Sequence, residues 1–122
     1  MRYTIDRDAR VFHLDLNRPV SAQRALDQSL ALLAVEPELW GWDWIVDAQT
    51  VPEDASVEQI ARLAKVFVSK LVAEATTVLV SGDRNLHLWA KVMDFQFPKR
   101  KHLVVTDVAQ AWRLIKARRA SI

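Results

Sequence analysis

Along the chain, two-residue apolar alternation and helical apolar spacing take turns. Tyr3-Thr4-Ile5 is a short β-prone stretch, ended by the polar turn Asp6-Arg7-Asp8-Ala9. Phe12, Leu14 and Leu16 then alternate with Val11, His13 and Asp15, the pattern of a half-buried strand. These two stretches predict an antiparallel pair, and Asn17-Arg18-Pro19 ends it. Ser21 is placed to cap a helix on which Ala22, Ala25, Leu26, Ser29, Leu30 and Leu33 share one face. Pro37 stops that helix. Leu39-Trp40-Gly41 leads into a strand from Trp42 to Asp47, and Pro52 closes the following loop. Ser56 and Gln59 have the spacing of a capping box. Val57, Ile60, Ala61, Ala64, Phe67, Val68 and Leu71 follow at helical intervals. Thr76-Thr77-Val78-Leu79-Val80 is a continuous run, β-branched at every position but Leu79, suited to a strand covered on both faces. Gly82-Asp83-Arg84-Asn85 turns into a helix with two apolar stripes. One is Leu86, Trp89, Ala90 and Met93; the other is Leu88, Val92 and Phe95. Pro98 ends it. His102 to Thr106 reads as a strand. Asp107, with Gln110 three residues on, caps a last helix whose Val108, Ala111, Trp112 and Ile115 face inward.

The order β-β-α-β-α-β-α-β-α predicts an α/β fold. The sheet is mostly parallel, of about five strands, with an antiparallel N-terminal edge strand and right-handed crossovers. Four helices cover it, at least some on each face. Two glycines leave little scope for tight hairpins, which argues against an all-β sandwich. With 122 residues, 51% of them apolar and 26% charged, residues 1–122 form a single domain able to build its own core.

Composition then removes chemistry. The chain has no Cys, which excludes disulfides, zinc–thiolate sites, iron–sulfur clusters and thiol nucleophiles. Two isolated glycines make neither a Walker A loop nor a dinucleotide fingerprint. No Gly-x-Ser-x-Gly turn is present for a serine nucleophile. His13, His87 and His102 are scattered over a strand, a helix and a strand start, with no paired spacing for a metal. The expectation is no catalytic centre, no cofactor and no metal. No apolar run approaches the length of a membrane span, and Asp6 comes too early for a secretory leader, so a cytoplasmic location is expected.

The net charge of +2 conceals a division. Residues 99–122 hold seven Lys or Arg (Lys99, Arg100, Lys101, Arg113, Lys116, Arg118, Arg119) against Asp107 alone, while residues 1–98 sum to −4. A basic pole suits an acidic partner. It equally suits solvated charge near the end of a last helix. It lacks exposed aromatics interleaved with the basic residues and any nucleic-acid motif, so no nucleic-acid partner is expected.

Two groups remain as candidates for contact. Asp43, Asp47, Glu53 and Asp54 cluster around a strand end and the next helix start, where open α/β sheets gather ligand groups. They equally read as loop-fixing and helix-dipole carboxylates. Trp40, Trp42 and Trp44 alternate, so in one extended strand their side chains would share a face. They divide between core packing and a contact surface.

The segment Trp44-Ile45-Val46-Asp47, followed seven residues after Asp47 by Asp54-Ala55-Ser56-Val57, resembles the central motif of STAS domains. That family includes the bacterial anti-sigma-factor antagonists. Its motif is an apolar strand ending in Asp, a short loop, then Asp-Ser-Ser-Gly opening a helix. Towards the C-terminus, Asp107-x-x-x-Ala111 and Leu114-Ile115 resemble the STAS-like group related to CRAL-TRIO lipid-binding domains. The resemblance implies a regulatory, non-enzymatic module. It also implies a phospho-switch at the first Ser of the motif. Here that position is Ala55, and the Gly is Val57, so only Ser56 remains for a phosphate, and Ser56 already serves as a cap.

The expected function is therefore a STAS-like protein-interaction module with a regulator or kinase-like partner. Its contact surface spans Val51–Ile60 and Gly82–Leu86, with Asp47, Asp54, Ser56 and Asp83 as contact residues. The alternative is a small apolar-ligand or lipid-binding domain. That reading rests on the doubly apolar helix Asn85–Phe97 and on Trp40, Trp42, Trp44 and Trp89. A homodimer is compatible with both.

Overall fold

A computed structural model of the chain describes residues 1–17, 21–68 and 74–121. The expected turn residues Arg18 and Pro19 and the helix position Leu71 lie outside them. Five strands, β1 (Arg2–Asp6), β2 (Val11–Asp15), β3 (Asp43–Asp47), β4 (Ala75–Val80) and β5 (Arg100–Val105), form one sheet in sequential order. β1 pairs antiparallel with β2; the other pairs are parallel. The helices are α1 (Ala22–Val35), α2 (Val57–Val68), α3 (Asn85–Gln96) and α4 (Val108–Ala120). This is the α/β architecture that the alternating periodicities predict.

Sequential order decides where the helices go. Each parallel step moves one strand in the same direction, and right-handed crossovers then put every connecting helix on the same face. α1, α2 and α3 accordingly pack on the face presenting Phe12, Leu14, Trp44 and Leu79. α4 follows the last strand and is free to fold back. Its Ala111 and Ile115 close a second core against Val11, Ile45, Val78 and Val80. β4 between the two cores is buried from Thr76 to Val80, as its continuous, mostly β-branched run predicts.

Local chemistry fixes the element ends. Ser21 Oγ accepts from Arg24 N at the start of α1, and Asp107 Oδ1 accepts from Gln110 N at the start of α4. The capping box at α2 is complete in both directions: Gln59 N donates to Ser56 Oγ and Ser56 N to Gln59 Oε1. The β1–β2 turn lacks glycine, and Arg10 takes the left-handed conformation (φ 54°) instead. The carbonyls of Ala9 and Arg10 each accept from the Arg119 guanidinium, whose Nε also bonds Asp43 at 2.8 Å. Arg118 Nε donates to Thr76 Oγ1.

Two expectations need correction. The strand does not begin at Trp42, so the alternation of indoles is not that of one extended segment. Pro37–Gly41 is a 3-10 turn, from which Trp40 enters the core, and only Trp44 lies on β3. Trp44 Nε1 donates to Leu39 O at 2.8 Å, which ties strand to turn. Val57, spaced with the apolar positions of its helix, is 48% exposed in the first turn of α2, whereas Ala64 and Phe67 further along are buried.

Candidate ligand-binding cavity

Between the sheet and α1–α3 lies a cavity of about 230 Å³. Its two ends differ in character. At the C-terminal ends of the strands it is framed by Leu16, Ala48, Val51, Pro52, Ala55 and Ser56. At the N-terminal ends of β4 and β5 it reaches Trp44, Thr77, Arg100 and His102. Leu86, Trp89 and Met93 of α3 and Ile60, Leu63 and Phe67 of α2 close its helical wall. Nearly all of this surface is hydrocarbon. The volume lies between the ~150 Å³ of an apolar cavity that takes benzene and the ~300 Å³ at which drug-sized pockets begin.

The deep end is built on Arg100, which is only 6% exposed. Strand alternation sends Arg100 and His102 to the same side as Val104, into the helical face. The Arg100 Nη atoms donate to Trp42 O (2.7 Å), Trp40 O (3.0 Å), Thr77 Oγ1 (3.0 Å) and, more weakly, Thr76 O (3.5 Å). The guanidinium carbon lies 5.1 Å from the rings of both Trp44 and Phe67. Burial pushes its pKa down to about 10, opposed by the charge of Asp43, so it stays cationic at neutral pH. Next to it, His102 Nδ1 lies 3.1 Å from Asp94 Oδ1, which also accepts from the His102 amide. Burial pushes the imidazole down to about 4 against the pull of Asp94, so His102 is neutral near pH 7. With Asp94 ionised, Nδ1 carries the proton. Lys101 Nζ holds the other Asp94 oxygen at 2.8 Å.

The expected contact residues occupy other places. Asp54 reaches across 32 residues of sequence to cap α1, accepting from Ala22 N and Gln23 N at 2.7 and 3.1 Å. These two amides hold its carboxyl below the usual range. Ser56 is engaged in its capping box and lines the cavity mouth. Asp83 joins the loop to α3, accepting from Asn85 N and from Val51 N. Asp47 accepts from Gln49 Nε2 and borders a shallow depression with Arg2, Thr4, His13 and Asp15 on the other face of the sheet. A sheet in sequential order has no strand-order reversal, so Asp47 ends a strand without a switch-point crevice beside it. The segment Val51–Ile60, expected to meet a partner, thus frames the mouth of the cavity.

Among the tryptophans, Trp44 and Trp89 line the cavity, Trp40 is core, and Trp42 is half-buried against that core. The basic pole largely dissolves into the fold: Arg100 is buried, Lys101 pairs with Asp94, and Arg118 and Arg119 fasten α4. Sequence reasoning missed Arg100 because it counted it as surface charge and began the strand at His102. Extending the period-two pattern two residues earlier would have placed it inside. Among the described residues, no group of three or more His, Asp or Glu could hold a metal ion, and no helix is long and apolar enough to cross a membrane.

An open α/β sheet with three crossover helices over a hydrocarbon cavity defines the class of fold and site. No family model matches the chain, and no match was found among curated proteins or solved structures.

Proposed function

We propose that the protein is a non-catalytic, cytoplasmic binding domain for a small apolar ligand, housed between the sheet and α1–α3. The carrying observation is the 230 Å³ cavity, walled by Leu14, Val46, Ile60, Leu79 and Trp89. A concave, almost wholly hydrocarbon space that opens to solvent and has a few polar groups at one end is the usual form of a small-molecule site. The inner stripe of α3 supports the reading, since Leu86, Trp89 and Met93 all face the space. Methyl NMR of the full chain tests it. Adding nonan-1-ol is expected to shift the methyls of Leu14, Val46, Ile60 and Leu79 and to leave those of Val11, Ile45 and Val78 in place. Unmoved cavity methyls, or shifts of equal size on both faces, would refute the reading.

A second reading is favoured by the outer stripe of α3. Leu88 and Phe95 are 65% and 86% exposed, and an apolar pair held in water suits a protein contact. This agrees with the regulatory module that the STAS resemblance implies, with a protein partner or a second copy covering α3. It relocates the contact, because Asp54 and Ser56 are occupied as helix caps. If a second copy covers this stripe, light scattering should show a dimer that Phe95→Glu converts to monomer. A monomer in both forms would exclude self-association there.

A further inference from the structure

We infer that the cavity is selective for a hydrophobic monocarboxylate, an acyl or aryl acid whose carboxylate is received by Arg100. This rests on the cavity being a ligand site and names the class of ligand. Buried charges in proteins are normally paired with an opposite charge, because an isolated ion in a low dielectric is strongly disfavoured. Arg100 is a buried cation without such a pair. Among the described residues no carboxylate lies within ion-pair distance of it. Asp43, the one acid whose charge acts on it, is already bonded to Arg119 Nε and to Thr76 N, each at 2.8 Å. The partners of the Nη atoms are three carbonyls and a hydroxyl. Two aromatic faces complete the surroundings. All of these position the guanidinium, and none carries a negative charge.

Arg100 also forms part of the cavity wall. Its four Nη hydrogens have acceptors, whereas no hydrogen bond among the described residues uses Nε. A carboxylate arriving at this end would meet an unused, charge-bearing donor in a site whose mostly hydrocarbon walls strengthen the attraction. His102 stands two residues along the same strand face and also lines the cavity. Its Nδ1 is turned to Asp94, and its Nε2 has no hydrogen-bond partner among the described residues. That nitrogen offers a place for a water or a second polar atom of the ligand head. The rest of the wall is apolar and sets the ligand's body. In proportion to the ~150 Å³ cavity that takes the six carbons of benzene, 230 Å³ accommodates about nine carbons.

Nonanoate and nonan-1-ol differ little in body and differ in the charge of the head, so they separate this inference from the cavity reading. Both are titrated into the full chain at pH 7, below their aggregation limits, by calorimetry and by ¹⁵N NMR of the arginine Nε–H groups. Nonanoate is expected to bind about tenfold or more tightly than nonan-1-ol, the worth of one charge-assisted hydrogen bond. It should also shift the Arg100 Nε–H resonance downfield, while nonan-1-ol leaves that resonance near its free position. Arg100→Met should abolish the preference and retain alcohol binding. The wild-type resonance carries the test if that variant fails to fold. Equal affinities with an unmoved Arg100 Nε–H would overturn the carboxylate inference and leave the apolar site standing. Binding of neither compound would overturn both.

Discussion

Phe67→Ala is expected to lower the unfolding free energy by about 3–5 kcal/mol, the range for removing a well-packed core aromatic. Phe67 is the hub of the larger core. Its ring centroid lies 4.3 Å from Trp40 and 5.1 Å from Phe97, both edge-on, and 5.5 Å from Trp44. It also supplies one of the two faces against Arg100. Edge-to-face pairs add to the burial gain, so the cost should fall in the upper part of the range. The cavity next to Phe67 bears on the cost, because the space left by the ring would join that cavity and enlarge it. Phe95→Ala is the control. At 86% exposed, it should change stability by no more than about 0.5 kcal/mol. Urea unfolding of the two variants measures the difference, and equal losses would contradict this account of the core.

Acidification from pH 7 to pH 4 is expected to remove about 3 kcal/mol of stability through His102. In the unfolded chain its imidazole protonates near pH 6.5, whereas the folded protein resists until about pH 4. Between those values the unfolded state binds more protons, so stability falls as the pH falls. The loss from this group is complete once both states are protonated. Asp94 acts in the same direction at lower pH. Burial alone would raise its pKa, but Lys101, the His102 amide and the His102 ring together hold it below the usual carboxylate range. Its contribution is present above that range and is lost as the folded carboxyl protonates. Urea midpoints at pH 7, 5.5 and 4 should therefore decline, and His102→Gln should flatten the decline between pH 6.5 and 4. An unchanged slope in that variant would assign the acid sensitivity elsewhere.

What the sequence revealed and what it withheld divide along range. Element types were readable because their causes are local: alternation in Val11–Asp15, helical spacing after Ser56, and cap residues within three positions of the amides they serve. The direction of the sheet followed from the order of those elements. Long-range placements were not readable in the same way. Asp54 has the appearance of a residue opening its own helix, and only the folded chain brings it to the amides of Ala22 and Gln23. Trp40 and Trp42 alternate with Trp44 in sequence, but Pro37 and the two residues after it favour a 3-10 turn, and the alternation loses its meaning there. Arg100 was hidden by charge, since a cation next to Lys99 and Lys101 reads as surface. The cavity had only an indirect signal, in the apolar helix Asn85–Phe97 and in Trp44 and Trp89. Periodicity says which side of an element faces inward, and how completely the facing side chains fill the interior depends on their mutual fit.

The placement of α4 has a consequence for how the chain reaches this state. Val11, Ile45, Val78 and Val80, all at most 1% exposed in the finished protein, have their cover in a helix made after every strand. During synthesis from the N-terminus, the three crossover helices can settle on their face while the opposite face of the sheet still lies open as an apolar surface. The clasp of Arg119 on Ala9 O and Arg10 O, 110 and 109 residues back, forms only when that helix arrives. The nascent protein therefore passes through a stage with one dressed face and one sticky face, and its solubility in that interval depends on how fast thirteen residues are made and docked.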